Sequence, residues 1–295
     1  MDRSDFLQRI QRLRVWRQHG RRAPHKPLLL LYAMGCLLGA RQARIPFAQV
    51  ERDLGALLRD YGPPNPTDPV YPFYHLASDG LWDHGIPANL IPAKGPPRKT
   101  ELRTYAVAGG LRDEVIELLR REPDLVAQAA TELVEAHFAP SIQDEVLQAT
   151  GLERGVGMRR QARRDPRFRE AVLDAYGHRC AVCGFDLAIG ANRIGLEGAH
   201  VRWVQADGPD VIPNGLGLCV LHHRLFDLGI WRLDPDLRLY VSDRLNGTSA
   251  PAQRMLALHG QQIAAPVHRE QFPDPAYLAW HHREVFKGND RPLDG

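Results

Sequence analysis

Lysine is nearly missing from this chain: of its 38 basic residues, four are lysines and 34 are arginines. The planar guanidinium fork binds phosphate bidentately, so the skew suits a polyanionic partner; GC-rich codon usage produces the same bias. Long apolar runs are also missing. The longest, Pro27 to Ala40, has about 14 residues, short of the roughly 20 that a membrane helix needs. The opening MDRSDFLQRIQRLRVW holds no apolar core segment, which argues against a secretory signal and for a bacterial cytoplasmic setting without membrane contact. Four cysteines make a poor disulfide framework there, and three of them fall into a metal-like pattern. The net charge is only +3, but it is unevenly spread: residues 1–30 carry eight basic against two acidic side chains, and residues 154–179 eight against three.

What is present points to two domains, each able to bury its own core at a total of 295 residues. Phe6, Ile10, Leu13 and Trp16 recur at helical spacing. Pro24 and Pro27 bracket His25-Lys26 and open an apolar helix, LLLLYAMGCLL, expected at the centre of the first domain. Phe47, Val50, Leu54 and Leu57 mark a third helix. Five prolines in GPPNPTDPVYP, residues 62–72, predict an ordered loop. FYHLASDGLW reads as two short strands around an Asp-Gly turn, and residues 111–138 as helical. The first domain is therefore expected over 1–140, a linker over 141–164 ending in the basic run RGVGMRRQARR, and a second domain over 165–295. Asp165-Pro166 would start a helix there and Gly177 would stop it.

Cys180-Ala-Val-Cys183 and Cys219-Val-Leu-His222 are two half-sites with two-residue spacing, separated by 35 residues. Each spacing lets two side chains chelate one tetrahedral ion, and thiolates with an imidazole select zinc. All four positions are protein ligands, so such a zinc is structural.

Between the half-sites lie LEGAHVRW and Asn214-Gly-Leu-Gly-Leu-Cys219, followed by His222-His223. The order His200, Asn214, His223 inside a zinc frame resembles the HNH endonuclease family over about residues 165–245. The resemblance implies a ββα-metal domain in which His200 is the general base and Asn214 orients it or the substrate backbone. It makes His223 a ligand of a catalytic divalent cation, Mg²⁺ or Mn²⁺. Neighbouring helical residues point about 100° apart, so His222 can face zinc while His223 faces the second metal. The chain departs from many HNH enzymes at Ala199, where an acidic ligand usually precedes the base. Glu197 and Asp227 are the acidic candidates, although Glu197 in a regular strand would face away from His200.

In the first domain, APHKPLLLLYAM and VYPFYHLASDGLWDH resemble the sulfur-binding domain of phosphorothioate-dependent McrA-type restriction endonucleases. The resemblance implies an α+β protein whose mainly helical N-terminal domain, with a small sheet, reads phosphorothioated double-stranded DNA. Tyr71, Pro72, Tyr74 and His75 would form an apolar cup for the sulfur, ringed by His25, Lys26, Arg98, Lys99 and Arg103 on phosphates and base edges. A homodimer would present two cutting sites to the two strands. Three alternatives stand beside this reading: recognition of a methylated base, direct reading of an unmodified sequence, and a non-catalytic zinc-containing DNA-binding protein.

Overall fold

The computed structural model describes residues 1–13, 22–39, 42–152, 166–190 and 192–292. It divides into two units, Met1–Phe138 with Gln143–Arg160, and Ala139–Ile142 with Gln161–Gly295.

The first unit is built around a helix with no polar face. Helix α1 (Arg3–Gln11) is capped by Asp2, whose side chain accepts from the Asp5 amide at 2.8 Å, and it buries Phe6 and Ile10. Leu13 is buried beyond its end, and Trp16 lies outside the described residues. Helix α2 (His25–Gly39) buries eleven of its residues, from Lys26 to Leu37, as expected for a domain centre. Gly35 lets another segment meet this helix: a Cβ there would lie 1.8 Å from the Thr150 carbonyl oxygen. Helix α3 (Phe47–Tyr61) buries Val50, Leu54, Leu57 and Leu58 along one stripe. Strands β1 (Ile45–Pro46), β2 (Trp82–Asp83) and β3 (Ala108–Leu111) form one small antiparallel sheet in the order β1-β3-β2. The unit is completed by helices α4 (Val70–His75), α5 (Lys99–Thr104), α6 (Asp113–Arg121), α7 (Asp124–His137) and α8 (Gln143–Ala149).

Two expectations for this unit are corrected. Phe73–His75 is helical rather than a strand, and so is the end of the proline-rich loop, because α4 includes Pro72. Proline in a first helical turn removes only an amide that has no partner there. The Asp-Gly turn survives, with Gly80 at φ 73 leading into β2. The expected linker is also folded in part: α8 buries Val146 and Leu147, and Leu152 is buried after it. The basic run at 154–164 and Asp165 lie outside the described residues.

In the second unit, helix α9 (Pro166–Ala175) ends before Gly177, which has φ 58. A small hairpin, β4 (Ala188–Ile189) with β5 (Asn192–Arg193), precedes the main ribbon. That ribbon is β6 (Leu196–His200) against β7 (Gly215–Cys219), in register from Leu196 opposite Cys219 to His200 opposite Gly215. Helix α10 (Val220–Asp227) follows directly, giving the expected ββα order. Gly215 and Gly217 leave room for α9 on one ribbon face: a Cβ at Gly215 would sit 2.3 Å from Val172, and one at Gly217 2.8 Å from Tyr176. Strands β8 (Trp231–Leu233) and β9 (Leu239–Val241) pair beyond α10, and helices α11 (Ala250–Leu256) and α12 (Pro275–Glu284) close the unit. Its core includes Val172, Leu173, Leu216, Leu218, Phe226 and Trp231.

Candidate active site and recognition face

Cys180, Cys183, Cys219 and His222 converge, with their ligand atoms all within 4.8 Å of one another. Cys219 ends β7 and begins α10, so His222 falls one turn in, with its Nδ1 3.1 Å from Cys219 Sγ and 3.7 Å from Cys180 Sγ. Cys183 Sγ lies 4.0 Å from Cys219 Sγ. The turn carrying the first pair is closed by Gly184, at φ 72, whose amide donates to the Cys180 carbonyl at 2.8 Å. Three sulfurs and one imidazole nitrogen at this spacing fit a tetrahedral zinc. A hydrogen bond with Cys219 holds the Cys180 thiol below the ordinary thiol range, while the same bond and burial push Cys219 up to about 11, and burial raises Cys183.

Strand side chains alternate between faces, and the two faces of β6 carry different chemistry. Gly198 and His200 face α9; the Phe168 ring stacks on His200 with centroids 4.0 Å apart and planes 14° apart. His200 Nε2 lies 2.7 Å from Asp210 Oδ1. Burial pushes the His200 imidazole below its usual pKa, against the opposing pull of Asp210. Glu197 faces α10 instead, with Oε2 2.6 Å from His223 Nδ1. On the other side of that ring, His223 Nε2 is 3.1 Å from Asp227 Oδ2. Burial alone would lower the His223 pKa, but Asp227 and Glu197 outweigh it and raise it to about 9. Asp227 is itself buried and accepts from Trp203 Nε1 at 2.8 Å and from Ser141 Oγ.

The structure thus pairs Glu197 with His223 and keeps Asp227 behind the imidazole, but it does not bring His200 into hydrogen-bond contact with His223; their coupling is electrostatic. Asn214 is fully buried, and its side chain is spent on backbone. Its Nδ2 donates to the carbonyls of Arg202 at 3.0 Å and Pro209 at 2.9 Å, and its Oδ1 accepts from the Arg202 amide at 2.8 Å. It therefore shapes the loop between β6 and β7. Sequence reasoning missed Asp210, Trp203, Ser141 and Phe168, because none stands at a motif spacing from the residues it serves.

In the first unit, α4 displays Tyr71 and His75 one turn apart, both exposed and stacked at 6.3 Å, while Pro72 is buried beneath them. Tyr74 lies between His75, at 5.0 Å, and His84, stacked at 5.5 Å; His84 was absent from the sequence-derived set. Burial, then the charges of Lys26 and His75, push the His25 pKa down to about 4, so this ring is neutral at physiological pH. Lys26 is buried in an ion pair with Asp79 at 2.6 Å. Lys99 is held by Asp68 at 2.6 Å and Glu51 at 3.3 Å, and Arg103 by Glu51 at 3.1 Å. Arg98 is exposed at the start of α5. Of the four cations expected to hold DNA, three are therefore committed to carboxylates within the unit.

A ββα frame carrying His, Asn and His beside a zinc-type knot defines an HNH endonuclease domain, and the HNH endonuclease profile matches residues 180–234. The second unit is thus the cutting module of a DNA endonuclease. The profile described as ScoMcrA-like, DNA sulfur-binding domain matches residues 3–155, and the chain belongs to that family. No curated protein matches the chain. Among solved structures, the sulfur binding domain of ScoMcrA complexed with phosphorothioated DNA is 25% identical, with a TM-score of 0.46 over 52% of this chain and 98% of that one. The corresponding SprMcrA complex is also 25% identical, with a TM-score of 0.44 over 52% and 97%. The Type IV phosphorothioation-dependent restriction endonuclease ScoMcrA aligns at 25% identity and a TM-score of 0.44, over 58% of this chain and 39% of that one.

Proposed function

We propose that this protein is a modification-dependent restriction endonuclease, which binds phosphorothioated double-stranded DNA through its first unit and hydrolyses phosphodiester bonds with its second. The observation that carries the reading is the sulfur-binding family match over residues 3–155 followed in one chain by the HNH match over 180–234. Sulfur is larger, more polarisable and more weakly hydrated than the oxygen it replaces, so an apolar cup penalises the oxygen more. The stacked Tyr71 and His75, with Tyr74 beside them and Pro72 beneath, supply such a surface. Neutral His25 would offer a hydrogen bond there rather than a charge, and Arg98 a phosphate contact.

In the second unit, His200 accepts a proton from water. The freed electron pair on that oxygen attacks phosphorus, the bond to the leaving oxygen breaks, and that oxygen takes a proton from solvent. Glu197 and His223 would hold a divalent cation, Mg²⁺ or Mn²⁺; their converging oxygen and nitrogen donors fit one, and Asp227 would fix the imidazole from behind. That cation would stabilise charge on the phosphate and the leaving oxygen. Zinc in the Cys180, Cys183, Cys219, His222 knot would hold the frame. Cutting both strands calls for two such sites, which a homodimer acting on cytoplasmic DNA would supply. Among the described residues, no helix is long and apolar enough to cross a membrane.

The test is digestion of matched plasmids, phosphorothioated and not, with Mn²⁺ or Mg²⁺. Cutting of only the phosphorothioated plasmid is expected. Equal cutting of both would overturn the sulfur reading, and selective cutting of methylated DNA would replace it with base-modification recognition.

A further inference from the structure

We propose that Asp210 is a positioning residue for hydrolysis: its carboxylate holds His200 in the tautomer that leaves Nδ1 as the proton acceptor. This rests on the reading of His200 as the general base.

A neutral imidazole has one N–H donor and one acceptor, and an ionised carboxylate can only accept. With Oδ1 of Asp210 at 2.7 Å, Nε2 of His200 carries the hydrogen, and Nδ1 keeps its lone pair. The His200 side chain is 21% exposed, which leaves the ring open to water. The same carboxylate favours the imidazolium once the proton has arrived. Phe168, stacked on the ring, fixes its plane and offers no competing polar group. The other charges that His200 feels are Asp227 and His223, from α10.

Asp210 lies in the β6–β7 loop, and that loop is built to place it. Asn214 grips the carbonyl of Pro209, the residue just before Asp210, and both backbone groups of Arg202 at the loop's other end. Gly208 tightens it further, donating to the Trp203 carbonyl at 2.9 Å; a Cβ there would lie 1.9 Å from the Arg202 oxygen. Asn214 thus acts on the base through Asp210 rather than by touching it.

The test compares the full chain with its Asp210→Asn, Asp210→Glu and His200→Ala variants. The readouts are single-turnover cutting of a phosphorothioated plasmid across pH, DNA affinity, the Mn²⁺ requirement, and ¹⁵N NMR of the histidine rings. Asp210→Asn should lose roughly 10–100-fold in rate, the usual cost of losing a partner that orients a histidine, with DNA affinity and Mn²⁺ requirement unchanged. Its remaining activity should have an acidic limb moved to lower pH, because the carboxylate that raises the base's pKa is gone. Asp210→Glu should recover part of the rate. The His200 signal should report Nε2–H in the wild type and lose that preference in Asp210→Asn. Wild-type cutting by Asp210→Asn, with His200→Ala inactive, overturns this proposal alone. A higher Mn²⁺ requirement would make Asp210 a metal ligand and overturn it as well. Wild-type cutting by His200→Ala would remove the base assignment itself.

Discussion

Lys26 Nζ lies 2.6 Å from Asp79 Oδ2, and the two side chains are only 7% and 3% exposed. A cation so placed stabilises the junction between α2 and the turn after α4 instead of meeting phosphate. Removing one partner of a buried pair leaves an uncompensated charge and typically costs about 3–5 kcal/mol. Lys26→Ala should therefore lower the Tm of the protein by several degrees. Arg98→Ala should leave the Tm unchanged, weaken binding to modified and unmodified DNA alike, and reduce the salt slope by roughly one. Thermal melts beside salt titrations distinguish the two. A Lys26→Ala protein that melts normally but binds DNA poorly would return Lys26 to the interface.

His25 makes a second prediction through its pKa of about 4 in the fold. Its unfolded counterpart titrates near the ordinary imidazole value of about 6.5, so the unfolded chain binds the extra proton first. The fold's stability from this group is fully present above that value and is lost as pH falls toward about 4. Denaturant melts at pH 7 and pH 5 should show a smaller difference in His25→Gln than in the wild type. An identical pH dependence in the two proteins would show that His25 is not buried as a neutral ring.

The knot of Cys180, Cys183, Cys219 and His222 should bind one metal ion per chain, and zinc is the ion expected. Structural zinc typically contributes about 10 kcal/mol or more to a small metal-dependent domain, and a zinc held here would join β7, α10 and the turn at Cys180. Cys180→Ala should unfold the second unit, and strong chelators should abolish cutting irreversibly on heating. Elemental analysis of purified protein checks the stoichiometry, and a zinc-free protein that still cuts would contradict it.

Glu197 and Asp227 stand on opposite sides of the His223 ring, and their replacements should differ. Glu197→Gln should raise the Mn²⁺ concentration needed for half-maximal cutting. Asp227→Asn should cost about 10–100-fold in activity through loss of ring orientation, with zinc content unchanged in both. Metal titrations of cutting rate supply the check; a Glu197→Gln variant with a normal Mn²⁺ requirement would exclude Glu197 as a ligand.

The parts legible in the sequence are those whose partners are close along the chain or share a motif. The two Cys/His half-sites that converge are of this kind, as are the apolar stripe of α3 and the unbroken apolar face of α2. Lys26 read as a free cation because its partner lies 53 residues away. The helix at Val70–His75 was hidden by prolines that break a helix interior but are tolerated in its first turn. Strand parity correctly put Glu197 opposite His200. It could not show that the opposite face is where α10 brings His223. Asp210 had no signal, since a loop aspartate ten residues from its histidine has no periodic relation to it.

Under the proposed function, the stacked rings of α4 are what would make the first unit prefer sulfur. Tyr71 is 47% exposed, so its ring is largely available to a partner, and its stacking on His75 at 6.3 Å gives a surface with few polar atoms. A phosphate oxygen pressed against that surface loses water without gaining a donor, whereas the more weakly hydrated sulfur loses less. Replacing Tyr71 with serine would admit water and supply a hydroxyl that serves the oxygen. Tyr71→Ser should therefore bring the affinities for phosphorothioated and unmodified DNA together, mainly by weakening the first, while Tyr71→Phe should retain the preference. Neither change touches the buried Pro72 or the Lys26–Asp79 pair, so the Tm should hold. Titrations at one fixed salt concentration are required, because phosphate contacts release counterions whichever atom occupies the site. If Tyr71→Ser keeps the full preference at an unchanged Tm, sulfur is read elsewhere on the unit, and the stacked Tyr74 and His84 become the next residues to replace.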